Sequence, residues 1–261
     1  MKKINPSVPY KTEQGFSLIE VLVAMAIGII LLGAVSYLFL GSKQLNRNQN
    51  ETSRMQENGR YALDTMGRVI RQAGARRNID ALNPDAETAY SLIATAISFT
   101  EGATTPDLLP DTVTVSYYTQ NANEVDCNGN TLATDTLVTF NFAVDTTTKQ
   151  LTCSNGTAAA VAIVDGVENM KVSIALDTSV PPDAVIDSYV TPNNVPARSA
   201  SLEVWRSHIA AVNVSLLLRS ASDTLATNKQ TYTFNSTATT ATDLRLRQVY
   251  NVTYNLRNLT R

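Results

Sequence analysis

Histidine is almost missing from this chain, with His208 alone in 261 residues, and cysteine occurs only as Cys127 and Cys153. One histidine excludes a two- or three-histidine metal centre, and two cysteines exclude a four-cysteine zinc site. His208 lies in VWRSHIAAV, with no GxSxG or comparable nucleophile context beside it. It reads as a strand-end histidine without catalytic duty. The sequence therefore predicts no catalytic residue, no metal site and no cofactor, and the chain reads as a non-enzyme. Basic excess is also lacking, because the formal net charge is −2; a general nucleic-acid binder carries the opposite balance. Charged residues make up 17% of the chain and hydrophobic ones 44%, which excludes global disorder. The length suits one or two domains with a real core.

Charge is unevenly placed. Residues 1–77 carry 11 basic and 5 acidic residues, 78–197 carry 2 and 15, and 198–261 carry 8 and 3. Such segregation favours docking between oppositely charged surfaces, although acidic loops also serve solubility alone.

The N-terminus carries most of the information. MKKINPSVPYKTEQG is polar, with Lys2, Lys3 and Lys11 against Glu13. FSLIEVLVAMAIGIILLGAVSYLFL, residues 16–40, then holds a single charge, Glu20. As a helix this run is about 38 Å long, enough to cross a bilayer core of about 30 Å. Basic residues before the span place the tail inside and the bulk outside. The apolar run flows into a helical pattern without a small-residue signal-cleavage site, so the segment reads as retained. Glu20 is the anomaly, since a carboxylate in a span costs about 2.5–3.5 kcal/mol and needs a partner.

The string GFSLIEVLVAMAI, Gly15 to Ile27, resembles the class III leader of type IV pilins and pseudopilins. The resemblance implies prepilin-peptidase cleavage between Gly15 and Phe16, N-methylation of Phe16, and Glu20 as the fifth mature residue. In that family the glutamate of an incoming subunit pairs with the terminal amine of its neighbour during assembly. The physics agrees, because a new α-amine with a pKa near 7.7–8.0 is largely cationic at neutral pH.

No proline occurs between Pro9 and Pro84, so nothing forces the helix to stop at the membrane. Ala62, Leu63, Met66, Val69, Ile70 and Ala73 follow three-and-four spacing, an apolar stripe suited to packing on a head. A helix over 16–77 would be about 93 Å long. Gly28, Gly33, Gly41, Gly59, Gly67 and Gly74 would each weaken it by about 1 kcal/mol and allow a bend.

From about residue 111 the pattern is β. Strands are expected around Val113, Val115 and Tyr117, at 137–144, 167–176, 210–220 and 230–235, and near the C-terminus. There Leu244, Leu246, Tyr250, Val252, Tyr254 and Leu256 share one face, with Arg245, Arg247, Asn251, Asn255 and Arg257 opposite. The Pro-rich stretch 178–200 reads as a long exposed loop, either a binding loop or, more simply, a variable connector.

In an exported head an even cysteine pair reads as a disulfide, here Cys127–Cys153, stabilising by about 3 kcal/mol. Asp126, Asn128 and Asn130 in DCNGN echo a calcium loop. Thr131 and Leu137 occupy the positions where that pattern needs glycine and glutamate, so a turn is expected instead. Six N-x-S/T strings, at Asn50, Asn155, Asn213, Asn235, Asn251 and Asn258, are assigned no role.

A narrower resemblance runs through the head. RMQENGRYALDTMGRVIRQAG at 54–74, IVDGVENMKV at 163–172, VWRSHIAAVNVSLLLRS at 204–220 and RLRQVYNVTYNLRN at 245–258 are similar to the PilW family of type IV pilus minor pilins. The expected fold is α+β and type IV pilin-like: a long N-terminal helix packed on an antiparallel β head. The resemblance divides the chain into a cleaved leader (1–15), a membrane and filament-core helix (16–40), its amphipathic continuation (41–77) and a β-rich head (78–261). It implies a subunit that helps prime pilus assembly and sits in a tip complex, supporting twitching motility and adhesion. Implied partners are other minor pilins, the major pilin, a tip adhesin, the prepilin peptidase and the inner-membrane assembly platform. The location would be the inner membrane with a periplasmic head, then the pilus. A minor pseudopilin of a type II secretion system shares the leader, helix and β head and is the alternative; a membrane-anchored periplasmic enzyme is a distant third.

Overall fold

The computed structural model describes residues 15–75, 96–102, 109–156, 159–181, 183, 185–195 and 209–258. His208 lies outside them. The chain divides into two compact units, Met1–Asn48 and Gln49–Arg261. One helix, α1 (Leu18–Ile70), contributes to both.

In the first unit α1 shows no inward face. Leu22, Ile29, Leu32, Tyr37 and Leu40 are all exposed, as expected of a segment apolar on every side.

In the second unit the helix becomes one-sided. Met55, Gly59, Ala62, Leu63, Met66, Gly67 and Ile70 are buried, so the stripe read from the spacing faces the core. The helix ends at Ile70, short of the expected residue 77. Short-range bonds from Gln72 to Val69 and from Ala73 to Ile70 tighten the exit. Gly74 then takes φ +74°, a left-handed turn that costs glycine little. The released backbone docks at once on the sheet: the Gly74 N–H donates to Ser116 and the Tyr118 N–H to Ala75.

The sheets are antiparallel throughout. β1 (Ile97–Thr100), β2 (Thr112–Tyr118), β3 (Leu137–Asp145), β4 (Gln150–Ser154) and β5 (Val161–Asp165) form a five-stranded meander. β6 (Val167–Leu176), β7 (Ser188–Val190), β8 (Ile209–Arg219) and β11 (Arg247–Asn255) form a second sheet in the order β11-β8-β6-β7. β9 (Thr231–Phe234) and β10 (Thr237–Thr240) make a separate hairpin. Alternation is clean where one face is covered: Val138, Phe140, Phe142 and Val144 on β3 are buried and the residues between them are not. These side chains share one core with Met66, Ile70, Met170, Ile174, Leu216 and Tyr254.

Two features join the sheets. Gly166, at φ +81°, is the single residue between β5 and β6, and an added Cβ would lie 2.8 Å from the Arg219 carbonyl. The other is a buried ion pair: Lys171 Nζ lies 3.1 Å from Asp111 Oδ1. Asp111 also accepts N–H bonds from Gly102 and Val172 at 2.9 Å. A buried pair is tolerable when its remaining lone pairs are satisfied in this way.

Four further expectations need correction. β structure begins before residue 111, with β1. The 178–200 stretch is not all loop: β7 pairs with β6, and a 3-10 turn spans Pro192–Asn194. Arg247 does not sit on a polar outer face. Its side chain is 6% exposed and bonds Glu168 at 2.7 Å and Asp243 at 2.6 Å; ion pairing, not alternation, decides its place. Val252, expected on the covered face, remains 36% exposed.

Hydrogen bonding from Arg247 holds the Asp243 carboxyl down at about 2, against an opposing effect of burial. A folded-state value below the unfolded one contributes stability that is full above about pH 4 and lost as pH falls through about 2. The amount is about 1 kcal/mol after solvent screening. Thermal unfolding between pH 5 and pH 2 should show the parent losing more stability than Asp243→Asn.

Candidate assembly site

The residues singled out at the N-terminus lie together at the start of α1. Gly15, Phe16 and Ser17 precede the first helical residue, and Phe16 is 87% exposed. The Ser17 N–H donates to Glu20 Oε2 at 3.0 Å, and the Glu20 N–H donates to Ser17 Oγ at 3.3 Å. This reciprocal pair is a capping box, which satisfies two helix-terminal donors and fixes where the helix begins. A carboxylate in the first turn is also favoured by the helix dipole. Glu20 is thus held by its own chain beside Phe16, with lone pairs left to meet a cation.

Behind this cap the helix is long and apolar enough to cross a membrane, with mean hydropathy 2.7 over an 18-residue window and none of that window buried. A soluble monomer does not leave so large an apolar surface uncovered; lipid or other protein must meet it.

In the head, Cys127 and Cys153 form the expected disulfide, with Cα atoms 5.7 Å apart. It ties the loop after β2 to β4. The neighbouring Asp126 carboxylate accepts N–H groups from Asn128 at 2.8 Å and Asn130 at 2.9 Å, and side-chain amides from Asn130 and Asn155 at 3.2 Å each. Slight burial works to raise its pKa, and the bonds from Asn130 and Asn128 more than reverse this. The DCNGN stretch is therefore an Asx-type turn. Asn155 and Asn213, from the N-x-S/T strings, are likewise used in side-chain hydrogen bonds.

A groove of ≈ 1240 Å³ lies between helix residues 51–64 and Lys149, Asp165, Arg219 and Arg245. Its charges are largely matched, as in Arg54–Glu51 at 3.7 Å and Arg60–Asp64 at 3.8 Å.

Two parts of the arrangement escaped the sequence reading. Ser17 with Glu20 was legible as S-x-x-E before an apolar run. The roles of Gly59 and Gly67 were not, because they depend on what lies opposite. A methyl added at Gly59 would stand 2.7 Å from Tyr250 Cδ2, and one at Gly67 would overlap the Tyr254 ring at Cε1. The Tyr254 hydroxyl donates to the Leu63 carbonyl at 2.6 Å, and burial pushes its pKa well above the ordinary phenol value. These glycines are notches for β11, not weak points. Gly67→Ala should lower the unfolding temperature of the detergent-solubilised chain by about 2–6 °C, overpacking of 1–3 kcal/mol exceeding the propensity gain.

Residues 10–36 match the prokaryotic N-terminal methylation motif, and residues 117–258 match the family described as Type IV Pilus-assembly protein W. No curated protein matches. Similar solved structures include a type IV-like pilin from Thermus thermophilus, 13% identical with a TM-score of 0.48, covering 80% of this chain and 98% of that one. Another is a binary complex of two pseudopilins from the type 2 secretion system of Vibrio vulnificus, 12% identical with a TM-score of 0.37, covering 80% and 97%. With more than half of its length matched, this chain belongs to the type IV pilus-assembly protein W family.

Proposed function

We propose that this protein is a minor pilin that helps initiate type IV pilus assembly and sits in the tip complex, supporting twitching motility and adhesion. The observation that carries the reading is a capped glutamate, Glu20, at the head of a helix whose apolar first half is exposed, directly after the Gly15–Phe16 junction.

In this account the prepilin peptidase removes residues 1–15 and methylates Phe16. Residues 16–40 anchor the subunit in the inner membrane, with 41–77 and the head of 78–261 in the periplasm. The apolar helix is then transferred from lipid into the filament core without meeting water. The Phe16 amine and the Glu20 carboxylate of adjacent subunits supply the one charged contact available in that core, where an unpaired charge is costly. Other minor pilins, the major pilin and a tip adhesin surround it, and the assembly platform loads it. A 246-residue mature chain, Phe16 to Arg261, suits few copies at a tip better than thousands in a packed shaft.

A deletion strain should lose surface pili and twitching. Normal pili and twitching with failed protein secretion would instead assign the chain to a secretion pseudopilus. Glu20→Ala should leave membrane insertion intact and cut recovery in sheared filaments by about tenfold or more, one unpaired buried cation costing at least 1.4 kcal/mol; unchanged recovery contradicts the amine pairing.

A further inference from the structure

β11 is the outermost strand of its sheet, and among the described residues no strand pairs with its far edge. Residues of even number bond inward to β8: the Leu246 carbonyl accepts from Ser220, and the Leu256 N–H donates to Ala210. By alternation the N–H and C=O groups of Arg247, Val249, Asn251, Thr253 and Asn255 point outward. At Arg247 the chain closes this edge itself. The Gln230 side chain accepts the Arg247 N–H at 2.6 Å and donates to its carbonyl at 2.9 Å, as a neighbouring strand would. Among the described residues, no such partner meets the backbone of Val249, Asn251, Thr253 or Asn255.

Soluble proteins blunt long edges with proline, lysine or bulges. β11 has none of these, and its pairing with β8 runs without a register shift over nine residues. Val249 and Val252 are each 36% exposed along it. On the outer face, Asn251 and Thr253 are locked to Asn213 and Ser215, so the ladder beside the edge is rigid. The open end is cationic. Arg257 follows the strand, and the Arg71 guanidinium stands 5.7 Å over the Tyr254 ring; among the described residues neither has an anionic partner.

We propose that this edge takes up an extended, acidic segment of a neighbouring pilin-type subunit by strand addition, with the carboxylates meeting Arg71 and Arg257. The proposal rests on the minor-pilin reading, which supplies the neighbour. Backbone pairing gives the affinity, and the two arginines select the partner.

The test places a photo-reactive benzoylphenylalanine at Val249 or Asn255 of the full chain in cells, with Thr239 on the separate hairpin as control. The expected result is an adduct, at 249 and 255 but not 239, with an acidic peptide of another protein bearing a class III leader. Val249→Pro deletes one outward N–H without touching the β8 ladder. It should reduce the Asn255 adduct by a few-fold to about tenfold, the worth of one backbone hydrogen bond, at an unchanged unfolding temperature. Filament recovery of the chain is measured in parallel. Normal recovery with no adduct, with an adduct to the same chain, or with no effect of Val249→Pro overturns strand addition alone. Absence of the chain from filaments overturns the minor-pilin reading beneath it.

Discussion

The head depends on one contact, between the tyrosines of β11 and the glycine face of α1. Gly59 and Gly67 are eight residues apart, about 12 Å along a helix. Tyr250 and Tyr254 are four apart, about 13–14 Å along a strand. The two spacings match, so both rings seat at once where no Cβ stands between ring and helix backbone. The Tyr254 hydroxyl then reaches the Leu63 carbonyl. This fixes the rotation of the helix against the last strand, and the strand in turn sets β8 and, through β8, β6 by antiparallel pairing. The Asn258 side chain closes the joint by donating to the Arg71 carbonyl.

A second constraint governs the first unit. The same helix must be apolar all round over its first half and one-sided over its second, because the two halves meet different solvents. In the proposed account lipid or filament core surrounds the first, so orientation there carries no penalty and the residues show no one-sided burial. The second packs on a sheet, and Met55, Ala62, Leu63, Met66 and Ile70 keep to one stripe. Glu20 is compatible with the first half only because Ser17 and the helix terminus hold it. Its charge stays available at the chain end, where assembly chemistry would use it.

Much of this was legible in the residues. The GFSLIEVLVAMAI string, the proline-free stretch and the apolar stripe fixed the helix and its faces. Strict alternation at 137–144 located β3, the apolar-rich run at 167–176 located β6, and an even cysteine count in an exported chain led to the Cys127–Cys153 bond. What escaped was whatever depends on a distant partner. Arg247 alternates with apolar neighbours and so looked solvent-facing; Glu168, 79 residues earlier, and Asp243 make its burial favourable. Gly59 and Gly67 looked like helix defects until the tyrosines nearly two hundred residues later were set against them. β1 and β7 are four and three residues long, too short for periodicity to register.

The central claim is that the chain is processed after Gly15 and carried into a filament by its apolar helix. Mass spectrometry of the N-terminal peptide from sheared surface filaments tests it most directly. The account predicts a peptide beginning at Phe16 and bearing one methyl group on its α-amine. A peptide retaining residues before Phe16, or a processed form confined to membranes and missing from filaments, would contradict it.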